Sequence, residues 1–414
     1  MTRSETTVLP LLRPVRALLR AGLTLAVALA GVALPAGPAT AGDVVYVESN
    51  VATGRGNEIL AFRRDAAGKL TMIPGSPFPA GGNGVSPSFN LGPYDSDQEI
   101  AVNAEKTLLF AVNGGSDSIA VFHIRRGGGL VPVAGSPFSS EGTNPVSLGI
   151  SGNILTVVNK NQDPGRPGPF PPNYTTFRIS DEGELTPVED STVAVEAGAS
   201  PSQALVSPTG RLVFGADFMG GLLRSFTLSR RGDLDPRAAV RLPASEFADT
   251  NAPPFPLGLA VHPRQPYLYV GFVTINRMGV YRYRSNGGLE FVRSVTNSGK
   301  ALCWIYPNRA GTRLYTSNTA DNSVSVYDLE DADEPREIQK VTLKGPGEAY
   351  QIALDSAGRF LYAVTQRNAA TEPDDSNALH VLRVGHDGKL DEVDSSPTVL
   401  RVPAGTRPQG VVAP

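Results

Sequence analysis

Three charged residues, Lys300, Glu348 and Arg407, each stand at the start of a short β-type run in a chain of 414 residues whose net charge is −3. A carboxylate, a lysine and an arginine brought to one narrow opening suit acid–base chemistry combined with capture of an anion. The carboxyl group moves a proton, and the cations hold a carboxylate, a phosphate or a developing oxyanion. A second set, Asn113, Asn159, Asp217, Asn318 and Gln366, falls at the ends of the strands that come next in the pattern. These residues are read as ligand-binding, with the alternative that amides at strand ends form turns by bonding nearby backbone. Asp217 and Asn159 are also oxygen donors of the kind Ca²⁺ accepts, and no other cofactor is expected.

Other reactive residue types offer less. His123 and His380 fall in third strands, and His262 and His386 in turns, so a Ser-His-Asp relay or a His-bound metal is not expected. There is no Gly-x-Ser-x-Gly elbow, His-Glu-x-x-His helix, P-loop, Cys-x-x-Cys pair or haem attachment signal. Cys303 is the single cysteine, which leaves stability to packing and sheet pairing. The acidic run Asp328, Glu330, Asp331, Asp333 and Glu334 lacks the glycine of an EF-hand loop and reads as a solvated turn. With 37 Lys and Arg against 40 Asp and Glu, nucleic acid is not a partner.

The elements that position these residues follow from composition and repetition. A chain that is 41% hydrophobic and 19% charged buries a sizeable core, and 44 glycines with 35 prolines favour strands and turns over helices. Alternating runs end at Phe62, Phe122, Phe177, Phe226, Tyr281, Tyr327 and Leu382, a mean spacing of (382 − 62)/6, about 53 residues. Six are followed by a Gly-x-Leu turn, at Gly68, Gly128, Gly183, Gly232, Gly287 and Gly388; the run ending at Tyr327 has the acidic stretch instead. The string Gly75-Ser76-Pro77-Phe78 recurs as Gly135-Ser136-Pro137-Phe138. Seven units of four short strands, stacked radially, bury both faces of every sheet, so the reading is an all-β, seven-bladed β-propeller. The last residues, 407–414, look like an inner strand whose continuation is Val44 to Asn50, so the C-terminal strand should close the ring on the N-terminal blade.

The connections from second to third strand and from blade to blade emerge on one face, which carries the long insertions 83–97, 160–173, 244–255 and 367–377. The Pro-rich 160–173 loop reads either as a rim to the central opening or as a solvated excursion. Asp95, Asp97, Asp374 and Asp375 make that rim acidic. Residues 1–41 read as a secretory signal peptide: Arg3, Arg13, Arg16 and Arg20 precede an apolar stretch from Ala21 to about Leu34 and the small-x-small site Ala39-Thr40-Ala41. The apolar stretch is shorter than a membrane span, so residues 42–414 are expected as an extracytoplasmic propeller without a transmembrane anchor, acting as a monomer.

The Ser207-Pro208-x-Gly210-Arg211 pattern, the Gly-x-Leu turns and the blade count resemble the seven-bladed lactonase family, which includes bacterial 6-phosphogluconolactonases and 3-carboxymuconate cyclases. The resemblance spans nearly all of residues 42–414 and implies hydrolysis or isomerisation of a small cyclic ester at the central mouth, with Asp217, Asn318 and Gln366 matching. The chain departs from the family where Ala199-Ser200-Pro201-Ser202-Gln203 lacks a histidine and where Pro256-Leu257-Gly258-Leu259-Ala260-Val261-His262-Pro263 lacks an arginine and a histidine. Phe272-Val273-Thr274 likewise lacks a carboxylate, and Asn318-Thr319-Ala320 an arginine. Leu314-Tyr315-Thr316-Ser317-Asn318 and Asn322-Ser323-Val324-Ser325-Val326-Tyr327 are similar to YVTN-repeat propellers. Two functions follow: a lactonase-like enzyme for a small oxygenated or carboxylated ligand, using Glu348, Arg407 and Lys300, or a non-catalytic binder of an envelope protein or glycan.

Overall fold

The computed structural model describes residues 43–85, 98–163, 166, 168–366, 373–403 and 405–414. The expected signal peptide, the rim carboxylates Asp95 and Asp97, the Asp374 side chain, and parts of three of the four long loops lie outside the described residues. The chain forms seven antiparallel sheets. Their inner strands are Gln409–Val412, Ile100–Val102, Pro145–Ser151, Leu205–Val206, Pro256–Val261, Leu302–Pro307 and Glu348–Leu354, for blades one to seven. From each inner strand a meander runs outward through a second, third and fourth strand. The described residues hold no α-helix, only short 3-10 turns such as Ala244–Glu246 and Thr319–Asp321.

Second strands such as Leu108–Asn113, Leu212–Asp217 and Tyr267–Phe272 are buried at every position, because a blade has a neighbour on both faces. Seven apolar clusters fill the seven seams between blades. Blades one, two, three and seven have a fifth strand, Phe78–Pro79, Phe138–Ser139, Val193–Ala194 and Thr398–Val399, which returns to pair with the third. The repeated Gly-Ser-Pro-Phe string forms the returning turn. The Ser76–Pro77, Ser136–Pro137 and Ser396–Pro397 peptides are cis. Their serine hydroxyls accept from the third-strand amides of Ala61, Val121 and Val381 at 2.8, 2.9 and 3.0 Å.

The Gly-x-Leu repeat is the part that locks each blade to the one before it. Its glycine takes a left-handed conformation, from φ +81° at Gly388 to +100° at Gly68. Each lies so close to the preceding blade that a Cβ would collide: Gly128 with Ile73 and Val44, Gly183 with Leu108, Gly232 with Val188, Gly388 with Arg313. The glycine carbonyl then accepts a hydroxyl from that blade. Tyr46 bonds Gly128 O at 2.9 Å, Thr176 bonds Gly232 O at 2.6 Å, Ser225 bonds Gly287 O at 2.7 Å, and Tyr315 bonds Gly388 O at 3.0 Å. The following leucine enters the seam, as Leu70, Leu130, Leu185, Leu234 and Leu390 do. Blade six, which lacks the motif, makes the same joint by other means. Within its acidic run Leu329 and Ala332 are buried in the seam and Tyr269 donates to Ala332 O at 2.7 Å, so the run is a solvated turn only in part.

The ring closes as expected. Gln409–Val412 pairs with Val44–Glu48 in the register Tyr46↔Val412, Val47↔Val411 and Glu48↔Gln409. Arg64 then staples blade one to blade seven. Its guanidinium donates to Tyr362 OH at 2.8 Å, pairs with Asp43 at 2.9 Å and Asp355 at 3.5 Å, and stands 3.9 Å over the Phe360 ring.

Two neighbouring glycines give a direct test of the joint. Gly128→Ala places a methyl 2.7 Å from Ile73 Cδ1 at φ +89°, whereas Gly129→Ala meets nothing within 4 Å. Denaturant unfolding should show Gly128→Ala destabilised by about 2–3 kcal/mol and Gly129→Ala within about 0.5 kcal/mol of the parent. Equal effects at the two positions would remove the wedge from the account of stability.

Candidate functional site

Inner-strand starts and second-strand ends come together at one end of the axis, the face that carries the long loops. Seven of the apolar clusters lie between blades; the eighth does not. It joins Leu257 of blade five, Cys303 and Trp304 of blade six, Tyr350 of blade seven and Phe218 from the turn after Asp217, with Phe255 and Val273 packed on them. The Trp304 and Tyr350 ring centroids are 5.9 Å apart, and those of Phe218 and Phe255 are 4.9 Å apart. Trp304 is fully buried, and its indole N–H has no acceptor among the described residues.

A polar belt completes the wall. Arg407 is buried just ahead of the closing strand, and its Nε donates to Gln366 Oε1 at 3.1 Å. Its guanidinium also lies 3.5 Å from Tyr350 OH and 5.5 Å from the centre of that ring. Gln366 Nε2 donates to Pro408 O at 2.6 Å, so one amide fixes both the strand and the arginine. Next to Tyr350, Gln351 Nε2 donates to Glu99 Oε1 at 3.0 Å, reaching from blade seven past blade one to blade two. Gly410 makes that passage possible: at φ +69°, a Cβ there would lie 2.8 Å from Ile100 Cγ2 and 3.3 Å from Glu99 Cβ. Gln203 in blade four reaches Gln98 of blade two at 2.8 Å and exchanges two bonds with the backbone of Leu259, at 2.8 and 3.2 Å. The buried Lys160 follows Asn159 at the rim of blade three, with buried Asp163 three residues on.

The residues singled out from sequence divide accordingly. Arg407 and Gln366 meet. Glu348 is half-buried at the start of the blade-seven inner strand, in register with Gln366. Lys300 is exposed, and its carbonyl accepts from Ala320 N at 3.1 Å. The others hold turns and seams. Asn113 Nδ2 donates to Ala80 O and Ser118 Oγ, each at 3.2 Å. Asn159 Nδ2 donates to Ser140 O at 2.9 Å and Asn173 Oδ1 at 3.0 Å. Asn318 Nδ2 donates to Ser323 and Ser325 at 2.9 Å. Asp217 accepts from Ser200 N at 2.9 Å and Gly220 N at 3.0 Å through Oδ1 and pairs with Arg224 at 2.6 Å through Oδ2, whereas Asn159 Oδ1 is buried with no hydrogen-bond partner among the described residues. Among the described residues no three His, Cys, Asp or Glu side chains cluster as a metal site.

None of the histidines reaches this mouth. His262 accepts from Gln265 N at 2.9 Å and shares a bond with Gly311 O at 3.0 Å; burial holds its pKa below the usual value. His380 is buried against Glu392 at 2.7 Å and lies 3.3 Å from Thr365, the residue before Gln366. Burial alone would raise the Glu392 pKa, but hydrogen bonds from His380, Ser396 and the Lys344 amide bring it below the ordinary value. At the far end of the axis a cavity of about 810 Å³ is lined by Arg264, Arg309 and Arg313 among others. There Arg313 is tied to Asp387 O at 2.8 Å and Asp328 at 3.3 Å, and Asp355 is tied to Arg64.

Sequence reasoning passed over Glu99, Gln203, Gln351, Lys160, Trp304 and Tyr350. Except for Lys160, which follows the second strand of blade three, their signal was a large polar or aromatic residue just ahead of or within the first few positions of an otherwise small and apolar inner strand, as in Glu348-Ala349-Tyr350-Gln351.

The family model described as Lactonase, 7-bladed beta-propeller matches residues 173–405. No curated protein matches the chain. Among solved structures, one provisionally described as a 6-phosphogluconolactonase from Bacteroides uniformis superposes with a TM-score of 0.66 at 16% identity, covering 89% of this chain and 98% of that one. A periplasmic gluconolactonase of Pseudomonas aeruginosa gives 0.64 at 16% identity, over 90% and 100%. A protein from Lactobacillus plantarum gives 0.64 at 17%, over 89% and 98%. At these identities the likeness is one of fold.

Glu48, opposite the closing strand, provides a pH test of the seam beside the mouth. It is buried, accepts from Asn57 Nδ2 at 2.9 Å through Oε1, and has no partner for Oε2 among the described residues. Burial pushes its pKa well above the usual value, with Asn57 pulling the other way. A carboxyl raised in the folded state contributes full stability below its unfolded pKa of about 4.3 and loses it as pH rises through the folded value. Glu48→Gln should match the parent near pH 4 and become the more stable protein at pH 8, measured as urea midpoints. A difference that does not change with pH would rule out a protonated Glu48.

Proposed function

Because the chain belongs to the seven-bladed β-propeller lactonase family, we propose that its axial mouth hydrolyses a small cyclic ester. The observation that carries this reading is the joint placement of Arg407 by Gln366 and Tyr350, beside Glu348 and against the apolar wall. A ring ester needs a base for the attacking water and a donor where negative charge gathers. Glu348, half-buried and open to water, takes the proton from the attacking water. Arg407 meets the carbonyl oxygen as it becomes an oxyanion and then the product carboxylate. The acyl–oxygen bond breaks and the ring oxygen leaves as a hydroxyl, receiving the proton that Glu348 holds, while the second proton of the water, left on the new carboxyl group, is released to solvent. Glu99 fixes the blade-seven strand through Gln351 and is a positioning residue. Lys300, exposed at the rim, acts at longer range by drawing in anionic ligands.

The work is done outside the cytoplasm in this reading. Its supports are the basic, apolar and small-x-small pattern of residues 1–41 and the fold likeness to a protein described as periplasmic. Among the described residues no helix is long and apolar enough to cross a membrane.

A panel of aliphatic, aromatic and sugar lactones, followed by proton release, tests the assignment. Glu348→Gln and Arg407→Ala should each lower kcat/KM by about 10²- to 10³-fold. Lys300→Ala should change KM by less than about threefold, an effect that disappears at high salt. Full activity in Glu348→Gln or Arg407→Ala would displace the site. A panel with no turnover would replace the enzyme by the binder of an envelope protein or glycan.

A further inference from the structure

The cavity of about 810 Å³ lies at the end of the axis away from the mouth, and its wall is uneven in charge. Four cations line it: Lys106 from blade two, Arg264 from blade five, and Arg309 and Arg313 from blade six. Its carboxylates are Asp355 and Asp387, and a carboxylate at Pro414, the last residue of the sequence, would make three. His386, exposed in the same wall, adds charge only when protonated. Glu105, beside Lys106 in the chain, is exposed but does not line the cavity.

Three of these groups are engaged within the fold. Asp355 is buried, accepts from the Arg359 amide at 2.6 Å and stands 3.5 Å from Arg64. Asp387 accepts from the Lys389 amide at 3.1 Å and lies 3.8 Å from that ammonium. Arg313 is held by Asp387 O at 2.8 Å and Asp328 at 3.3 Å. Lys106, Arg264 and Arg309 have no side-chain hydrogen bond or ion pair among the described residues, so the positive charge they bring is uncompensated. In a ring of seven, blade two stands across the axis from blades five and six, and the three cations therefore meet one space from opposite sides. The exposed ring of Tyr306 gives that space an aromatic surface.

Lys106 carries a second sign. It holds the fourth position of the turn from inner to second strand, where its amide donates to Asn103 O at 2.9 Å. The same position, with the same amide hydrogen bond, is Gly210 in blade four, Gly311 in blade six and Gly358 in blade seven, all left-handed at φ +67° to +71°. Lys106 is left-handed too, at φ +59°, which an L side chain adopts only against steric resistance. Glycine would suit the turn better; what lysine adds there is a charge in the cavity.

We propose that the far-end cavity is a binding site for a small anion with two or more carboxylate or phosphate groups, held across the axis by Lys106 on one side and by Arg264 and Arg309 on the other, with its body against Tyr306. Guanidinium forks suit either kind of oxyanion, and the cavity has the size of a small-molecule site. This site is separate from the mouth and does not rest on lactone opening.

The probes are benzene-1,3,5-tricarboxylate, benzoate and inorganic pyrophosphate, titrated into the protein by calorimetry at low ionic strength. The tricarboxylate should bind at one site, at least about tenfold more tightly than benzoate, which has the same ring and one charge, and added salt should weaken it. Lys106→Gly, Arg264→Gln and Arg309→Gln should each weaken it by about three- to tenfold. In Lys106→Gly the unfolding midpoint without ligand should be unchanged or higher, which separates the lost charge from lost structure. Arg407→Ala and Lys300→Ala, at the other end of the axis, should bind the tricarboxylate as the parent does. Pyrophosphate binding more tightly than the tricarboxylate would assign phosphate groups, and the reverse carboxylates, each within the proposal. Binding of neither, benzoate as tight as the tricarboxylate, unchanged affinity in Lys106→Gly, or affinity lost in Arg407→Ala would each overturn it, whether or not the mouth opens lactones.

Discussion

Everything in this molecule depends on how closely one blade approaches the next. The approach is set at the turn after the third strand, where a left-handed glycine with no Cβ rests against the preceding blade and its carbonyl takes a hydroxyl from it. A twisted antiparallel sheet fixes its own strand spacing but not its distance from a second sheet. The glycine contact sets that distance, and the leucine two residues on fills the seam it leaves. Blade six shows that the requirement is geometric. It has no such glycine, yet Ala332 O receives the same bond and Leu329 the same burial.

With the seams filled by apolar side chains, the axis is left to different chemistry. Inner strands converge there too closely for large side chains at every position, which is why Gly149, Gly258 and Gly410 stand where a Cβ would strike a neighbouring strand. The long side chains that remain, Gln98, Gln203, Glu99 and Gln351, cross over those glycines and tie blades that are not adjacent. The site is therefore made of side chains the seams do not use. Apolar packing and polar contacts thus occupy separate parts of each strand, with Gln203, Gln351 and Gln366 at the mouth also tying blades together.

This separation also decides what was legible from sequence. Gly-x-Leu turns, the Gly-Ser-Pro-Phe strings and the ring-closing strand repeat because every blade faces the same packing problem, and a repeated problem leaves a periodic trace. The mouth has no period. Each blade contributes a different residue, so Trp304, Glu99 and Gln351 stand alone in the sequence and meet only through the radial arrangement. The polar strand-end residues did recur, and Asn113, Asn159 and Asn318 each bond the start of the next strand, at Ser118, Asn173 and Ser323. Arg407 and Gln366 were readable because they stand where the ring closes, a place that topology singles out.

The closing strand has a consequence for the order in which the molecule assembles. Val44–Glu48 is made first, and its partner Gln409–Val412 only after every other blade. Six blades build locally as their own hairpins emerge, whereas the first must wait, with one edge of its sheet unpaired, for a strand supplied across the longest loop in the chain. Because Arg407 immediately precedes that strand and donates to Gln366 and Tyr350 across the final seam, the mouth is completed in the same event as the ring. An incomplete chain lacks both the closing strand and the Arg407 contacts that go with it.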